Sequence, residues 1–197
     1  MGNGRVWLFR FLVLALGALL VVTWFMPWWL CHVESNEAGT HDVIIHPYGL
    51  DGGGLEGYFA LMPKGGAEVE LPGFLIPLMW VYLGLVILAL LIAMILKNRS
   101  LRLFGKEFNI SRWLLGIVGL SYIAVCVIAL LFAKSKVTAI GIPFTGQESG
   151  VNIGKFAMWD VYIDADSSLQ IGYYLAYAAG GGLLLLALLR NKIIGNV

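Results

Sequence analysis

The sequence predicts an all-α membrane protein: a four-transmembrane-helix bundle with a small β-rich extracytoplasmic cap formed from its two outer loops. Three observations lead there. Four apolar runs, each about twenty residues long, recur along the chain, the length a helix needs to cross a bilayer. The composition is 59% hydrophobic and only 13% charged, with mean hydropathy +0.84. A soluble domain is about 45–50% apolar and about 25% charged, so a chain this apolar stays dispersed only if lipid covers most of its surface. Finally, charge changes sign from one connection to the next.

The clearest span is Phe74 to Leu96, 23 residues without a charge. As a helix it is roughly 34 Å long, enough for a hydrocarbon core of about 30 Å. The first run, about 7–30, begins after Arg5 with Arg10 near its start and ends in Trp24, Pro27, Trp28 and Trp29. No small-residue cleavage site follows it, so it reads as an uncleaved anchor. Its tryptophans read as interfacial, since an indole places its body in acyl chains and its N–H in water. The third span is 113–133 and the fourth 169–189, giving a single tetraspan domain over 1–197.

The outer loop 31–73 carries seven acids against Lys64 alone. Its glycine-rich centre, Gly49 to Gly57, predicts irregular structure. Beyond it, Tyr58 to Met62 and Ala67 to Leu71 flank Pro63-Lys-Gly-Gly66 as a β-hairpin, because Ala67, Val69 and Leu71 alternate with Glu68 and Glu70. The second outer loop, 134–168, holds extended stretches at 137–142 and 151–163 that are suited to joining the cap. The acids Asp160, Asp164 and Asp166 lack the glycine and terminal glutamate of a calcium-binding loop and read as a solvated turn.

Orientation follows from charge. Nine cations (Arg5, Arg10, Lys97, Arg99, Arg102, Lys106, Arg112, Arg190, Lys192) lie in the tails and the 97–112 loop, and four (Lys64, Lys134, Lys136, Lys155) in the other loops. The positive-inside rule therefore predicts a multi-pass cell-membrane protein with both termini cytoplasmic and both large loops outside.

Chemistry-bearing motifs are sparse. No Asp, Glu, Lys or His falls in a span core, which disfavours proton relays and ion pathways. All three histidines lie in the first outer loop, away from any bundle-embedded haem site. No phosphate-binding, nucleophile-elbow or zinc-protease motif is present. A net charge of +1 without a basic face argues against nucleic acid. One cluster stands out: Cys31 and His32 with His41 and His46, borderline and soft ligands suited to Cu or Zn. Its spacing matches no standard metal motif, and the bland alternative is surface or hydrogen-bonded side chains.

Helices in lipid associate through close contact at small residues. Gly172-x-x-x-Ala176-x-x-x-Gly180 supplies such a stripe on the fourth span and Ala89-x-x-x-Ala93 on the second, either for contacts inside the bundle or for another subunit.

The tryptophans followed by Leu-Cys at Trp28-Trp-Leu-Cys31 resemble the claudin-type tetraspans. The resemblance implies four spans, cytoplasmic termini and a β-rich first outer loop. The second loop cysteine and the Gly-Leu-Trp pattern of that family are missing here, so no junction or pore function is carried over.

The functional expectation is a non-enzymatic scaffold or accessory subunit without a cofactor. Its partners are the lipid bilayer and other integral membrane subunits or further copies of itself. The alternative is a Cu- or Zn-binding accessory subunit of a membrane redox enzyme, using the Cys31/His32/His41/His46 cluster. A channel or small transporter ranks last.

Overall fold

In the computed structural model, residues 3–36, 39–51, 72–96, 100–103, 106–139, 142–156 and 159–194 are described. In chain order the elements are α1 (Asn3–Phe25), β1 (Trp29–Ser35), β2 (Gly39–His46), β3 (Gly49–Asp51), α2 (Leu75–Ile95), β4 (Ser100–Leu103), β5 (Lys106–Asn109), α3 (Ile110–Ala139), β6 (Gly146–Phe156), β7 (Trp159–Leu169) and α4 (Ile171–Ile194). All four helices are long and apolar enough to cross a membrane. Beside the four helices, five strands form an antiparallel sheet in the order β3-β2-β1-β7-β6, drawn from the segments in and beside the two loops expected to supply β structure.

Several boundaries also differ from the sequence reading, each for a local reason. The first helix stops at Phe25 rather than near 30. Pro27 has no N–H to donate and disfavours helical geometry in the residue before it, so Trp28-Trp-Leu-Cys leaves the helix despite being apolar. Its alternation, with Trp29, Cys31 and Val33 buried and His32 and Glu34 exposed, is that of a strand. The third helix runs on to Ala139, so 137–139 is helical where an extended stretch is expected. Gly49–Asp51, the start of the stretch expected to be irregular, pairs with β2, and the rest of that stretch lies outside the described residues. The aspartates of β7 lie in a strand rather than a turn, because that strand is paired on both sides and buries Val161, Ile163, Ala165 and Ser167 between them. The loop at 97–112 contains the hairpin β4–β5. Asn109 then caps α3, its Oδ1 accepting from the Arg112 N–H at 3.3 Å. The hairpin expected over 58–71 lies outside the described residues.

The chain divides into two compact units. The first comprises Met1–Trp24, Leu78–Cys126 and Tyr174–Val197 and is a helical bundle. On α2 the buried positions are Leu83, Val86, Leu90 and Ala93, a three-and-four spacing that forms one stripe. Small residues set the closest approaches. A β-carbon at Gly119 would lie 2.7 Å from the Gly180 carbonyl oxygen and 2.8 Å from the Leu184 nitrogen, so α3 and α4 touch backbone to backbone. Gly17 receives Leu90 and Gly182 receives Leu16. A polar knot sits among these apolar contacts. Thr23 Oγ1 and Tyr122 Oη both donate to the Leu20 carbonyl, at 2.9 and 3.2 Å, while Tyr82 and Ser121 pair at 3.1 Å. Trp24 is fully buried, with its ring near those of Tyr82 and Tyr122.

The second unit comprises Phe25–Pro77 and Val127–Tyr173 and is built on the sheet. One face of the sheet covers a core of Trp29, Cys31, Val33, Val43, Ile163 and Ala165, which Val137 of α3 and Ile142 complete. Trp29 Nε1 donates to the Phe144 carbonyl at 2.7 Å, and the two rings stack at 9°. This tryptophan is therefore a core residue and not an interfacial anchor; Trp28 is likewise buried, edge-on to Tyr173. At Gly172 an added β-carbon would meet the Pro27 carbonyl oxygen at 2.5 Å, so only glycine lets α4 start against the α1–β1 link.

Candidate functional site

The most distinctive chemistry of the described residues lies on the sheet face opposite this core. Pleating alternates side chains, so each strand that buries one set presents the other. From β1 come His32 and Glu34, from β2 Thr40 and Asp42, and from β7 Asp160, Tyr162, Asp164 and Asp166. The pairing register aligns them in rows. His32 stands opposite Asp42 on one side and Asp166 on the other, while Glu34 stands opposite Asp164.

The two rows are electrostatically different. In the first, His32 Nδ1 lies 2.5 Å from Asp42 Oδ1, and Gln147 Nε2 donates to Asp166 Oδ2 at 2.8 Å. In the second, two carboxylates face each other directly across neighbouring strands. Like charges in that arrangement oppose pairing. Asp164 Oδ1 accepts the Gly150 N–H at 2.7 Å, a contact allowed by the left-handed Gly150 (φ 68°), but no cation among the described residues pairs with Glu34 or Asp164. Among the described residues, the face therefore carries more negative charge than its own side chains neutralise.

The expected metal ligands do not converge. Register and pleat put Cys31 and His41 on the core face of the sheet, and His32 on the outer face with Asp42. His46 lies near the end of β2, where its Nδ1 is 3.2 Å from the Met26 carbonyl and its ring stacks on Tyr48. No cluster of three or more His, Cys, Asp or Glu suited to a metal occurs among the described residues. Burial pushes the Cys31 thiol up, the carboxylates of Asp166 and Asp42 add to this, and the Ser167 hydroxyl opposes it. Protonated, enclosed and on the face away from His32, Cys31 forms no nucleophile–base couple with that imidazole.

The expected small-residue faces lie largely inside the molecule. Ala176 and Ala93 are fully buried, Ala89 is half-buried, Gly180 sits against Gly119 and Ile123, and Gly172 against Pro27. The hydroxyls of Thr23 and Tyr122 on the Leu20 carbonyl and the Tyr82–Ser121 pair have no counterpart in the sequence reading. Ionisable groups are the obvious polar signal in a span and hydroxyls are easily passed over, although Thr, Ser and Tyr in apolar runs are what marks such links. No protein-family model matches the chain, and no curated protein matches it.

Proposed function

We propose that this protein is a non-enzymatic integral membrane scaffold or accessory subunit whose sheet receives a basic segment of another membrane protein. The observation that carries this reading is the outer face of β1, β2 and β7, where Glu34, Asp42, Asp164 and Asp166 converge and Glu34 directly opposes Asp164. A partner's Lys or Arg relieves that opposition and adds charge-assisted hydrogen bonds. The bundle supports the same conclusion from the other direction. The small-residue faces expected on its second and fourth spans lie largely within the chain, so the helices serve as the anchor and the sheet as the recognition surface. In this reading the excess of cations in the tails and the α2–α3 connection keeps those segments cytoplasmic, and the sheet lies outside the membrane.

The test is purification from native membranes in mild detergent, comparing wild type with Asp164→Lys/Asp166→Lys. The expected result is a stoichiometric integral membrane partner that is retained by the wild type and lost from the variant at low ionic strength. A wild-type chain that runs alone, or a partner held equally by both proteins, overturns the proposal.

A further inference from the structure

Between α3 and α4 on the bundle runs a groove of about 560 Å³. Its floor is Gly116 and Ala187, whose small side chains leave the space open. Leu120 and Leu184 line one end, and Asn109, Arg112 and Asn191 line the other. The groove thus has an apolar body and a polar, cationic mouth. Its volume lies in the range of small-molecule sites, at about 300–1,000 Å³.

The charges at the mouth are arranged against the fold's own interest. Arg112 is in the first turn of α3, where the helix dipole disfavours a cation. The antiparallel contact of Gly116 with Ala187 brings Arg112 level with the last turns of α4, and there it repels the charge of Arg190. Arg190 is 3% exposed and hydrogen-bonds Asn191 Oδ1 at 3.4 Å. The guanidinium of Arg112 thus lines the end of an apolar slot with the buried Arg190 charge near it, and no carboxylate among the described residues pairs with Arg112. An anion there removes both unfavourable terms, and an anion with a hydrocarbon tail also fills the slot.

We infer that the α3–α4 groove binds one anionic glycerophospholipid of the surrounding bilayer, its phosphate at Arg112 beside Asn109 and Asn191 and an acyl chain along Gly116 and Ala187. Charge complementarity selects this occupant over a zwitterionic lipid, whose own ammonium offsets its phosphate. It also disfavours a partner's transmembrane helix, which brings no charge to the mouth. The site does not depend on the sheet's partner, so either reading can fail without the other.

The test is native mass spectrometry of the purified full chain in detergent, titrated separately with phosphatidylglycerol and phosphatidylcholine of the same acyl length. The expected outcome is one phosphatidylglycerol bound in preference to phosphatidylcholine. Arg112→Gln, an exposed change that leaves the bundle core untouched, weakens phosphatidylglycerol binding about fivefold. Arg112→Lys retains most of it, and Gly116→Leu, which occupies the slot, lowers binding of both lipids. Equal binding of the two lipids by wild type, or no loss in Arg112→Gln, overturns the inference.

Discussion

The contact between α3 and α4 makes a quantitative prediction through Gly119→Ala. The new methyl carbon would sit 2.7 Å from the Gly180 carbonyl oxygen, 2.8 Å from the Leu184 nitrogen and 3.3 Å from the Leu183 β-carbon. Non-bonded contacts settle at about 3.5–4.0 Å, so the helices must part by roughly 1 Å at this level. Two of the three obstacles are backbone atoms, which cannot rotate aside. Separation on that scale forfeits about a quarter to a half of the attraction at neighbouring contacts, Gly116 with Ala187 among them. Overpacking of this kind costs about 1–3 kcal/mol.

Gly181→Ala is the matched control. It lies one residue from Gly180 on α4, and a β-carbon there meets nothing within 4 Å. Alanine's advantage over glycine in a helix, about 0.5–1 kcal/mol, should therefore appear undiminished. The two variants are expected to differ by roughly 1.5–4 kcal/mol, in opposite directions from wild type. Reversible unfolding in mixed micelles, followed by tryptophan fluorescence, measures the difference. If Gly119→Ala proves as stable as Gly181→Ala, the backbone contact between α3 and α4 is wrong, and with it the groove built on the same helix pair.

The sheet yields two further predictions. Glu34→Gln removes one member of the Glu34–Asp164 opposition and should stabilise the isolated protein by about 0.2–1 kcal/mol at low salt, with the gain shrinking as salt is added. Thermal melts across a salt series test this, and a destabilised Glu34→Gln would show that the carboxylate is satisfied. Because burial raises the Cys31 thiol above its ordinary 9.0, the stability it contributes is full below that value and is lost as pH rises through the higher folded value. Cys31 should accordingly resist maleimide at about pH 8 in the folded protein and react promptly once unfolded, read as a mass shift on its peptide; rapid labelling of the folded chain would contradict its burial.

Much of the architecture was legible in the chain itself, and particular residues show why. Phe74 to Leu96 reads as a span because an uncharged run of this length suits a helix crossing a bilayer, and α2 at Leu75–Ile95 occupies nearly the whole of it. The helix that ends early shows the limit. Hydrophobicity alone continues the first span through Trp28-Trp-Leu, and only Pro27 together with the strand partners of β1 turns those residues into sheet. The same tryptophans read as interfacial anchors, and an indole suits a core as well, so their type alone does not separate the two environments. The Phe144 carbonyl that receives Trp29 Nε1 is remote in sequence and has no local signal. The candidate site was only half legible. The acids were visible, but whether Asp164 and Asp166 sit in a turn or on a strand depends on pairing with β1.

Local composition was enough to set the number of helices able to span a membrane and the acidic character of the connections that build the sheet. Transfer into lipid is a local property: a run of about twenty residues without a charge favours the bilayer whatever its neighbours do. Which groups meet was left to the tertiary fold. The β1–β7 register separates Cys31 from His32 and sets Glu34 against Asp164, and the packing of α3 on α4 places Arg112 at the groove mouth within electrostatic reach of the buried Arg190. Those encounters join residues far apart in the chain, and their energies depend on distance and face, quantities that no local pattern contains.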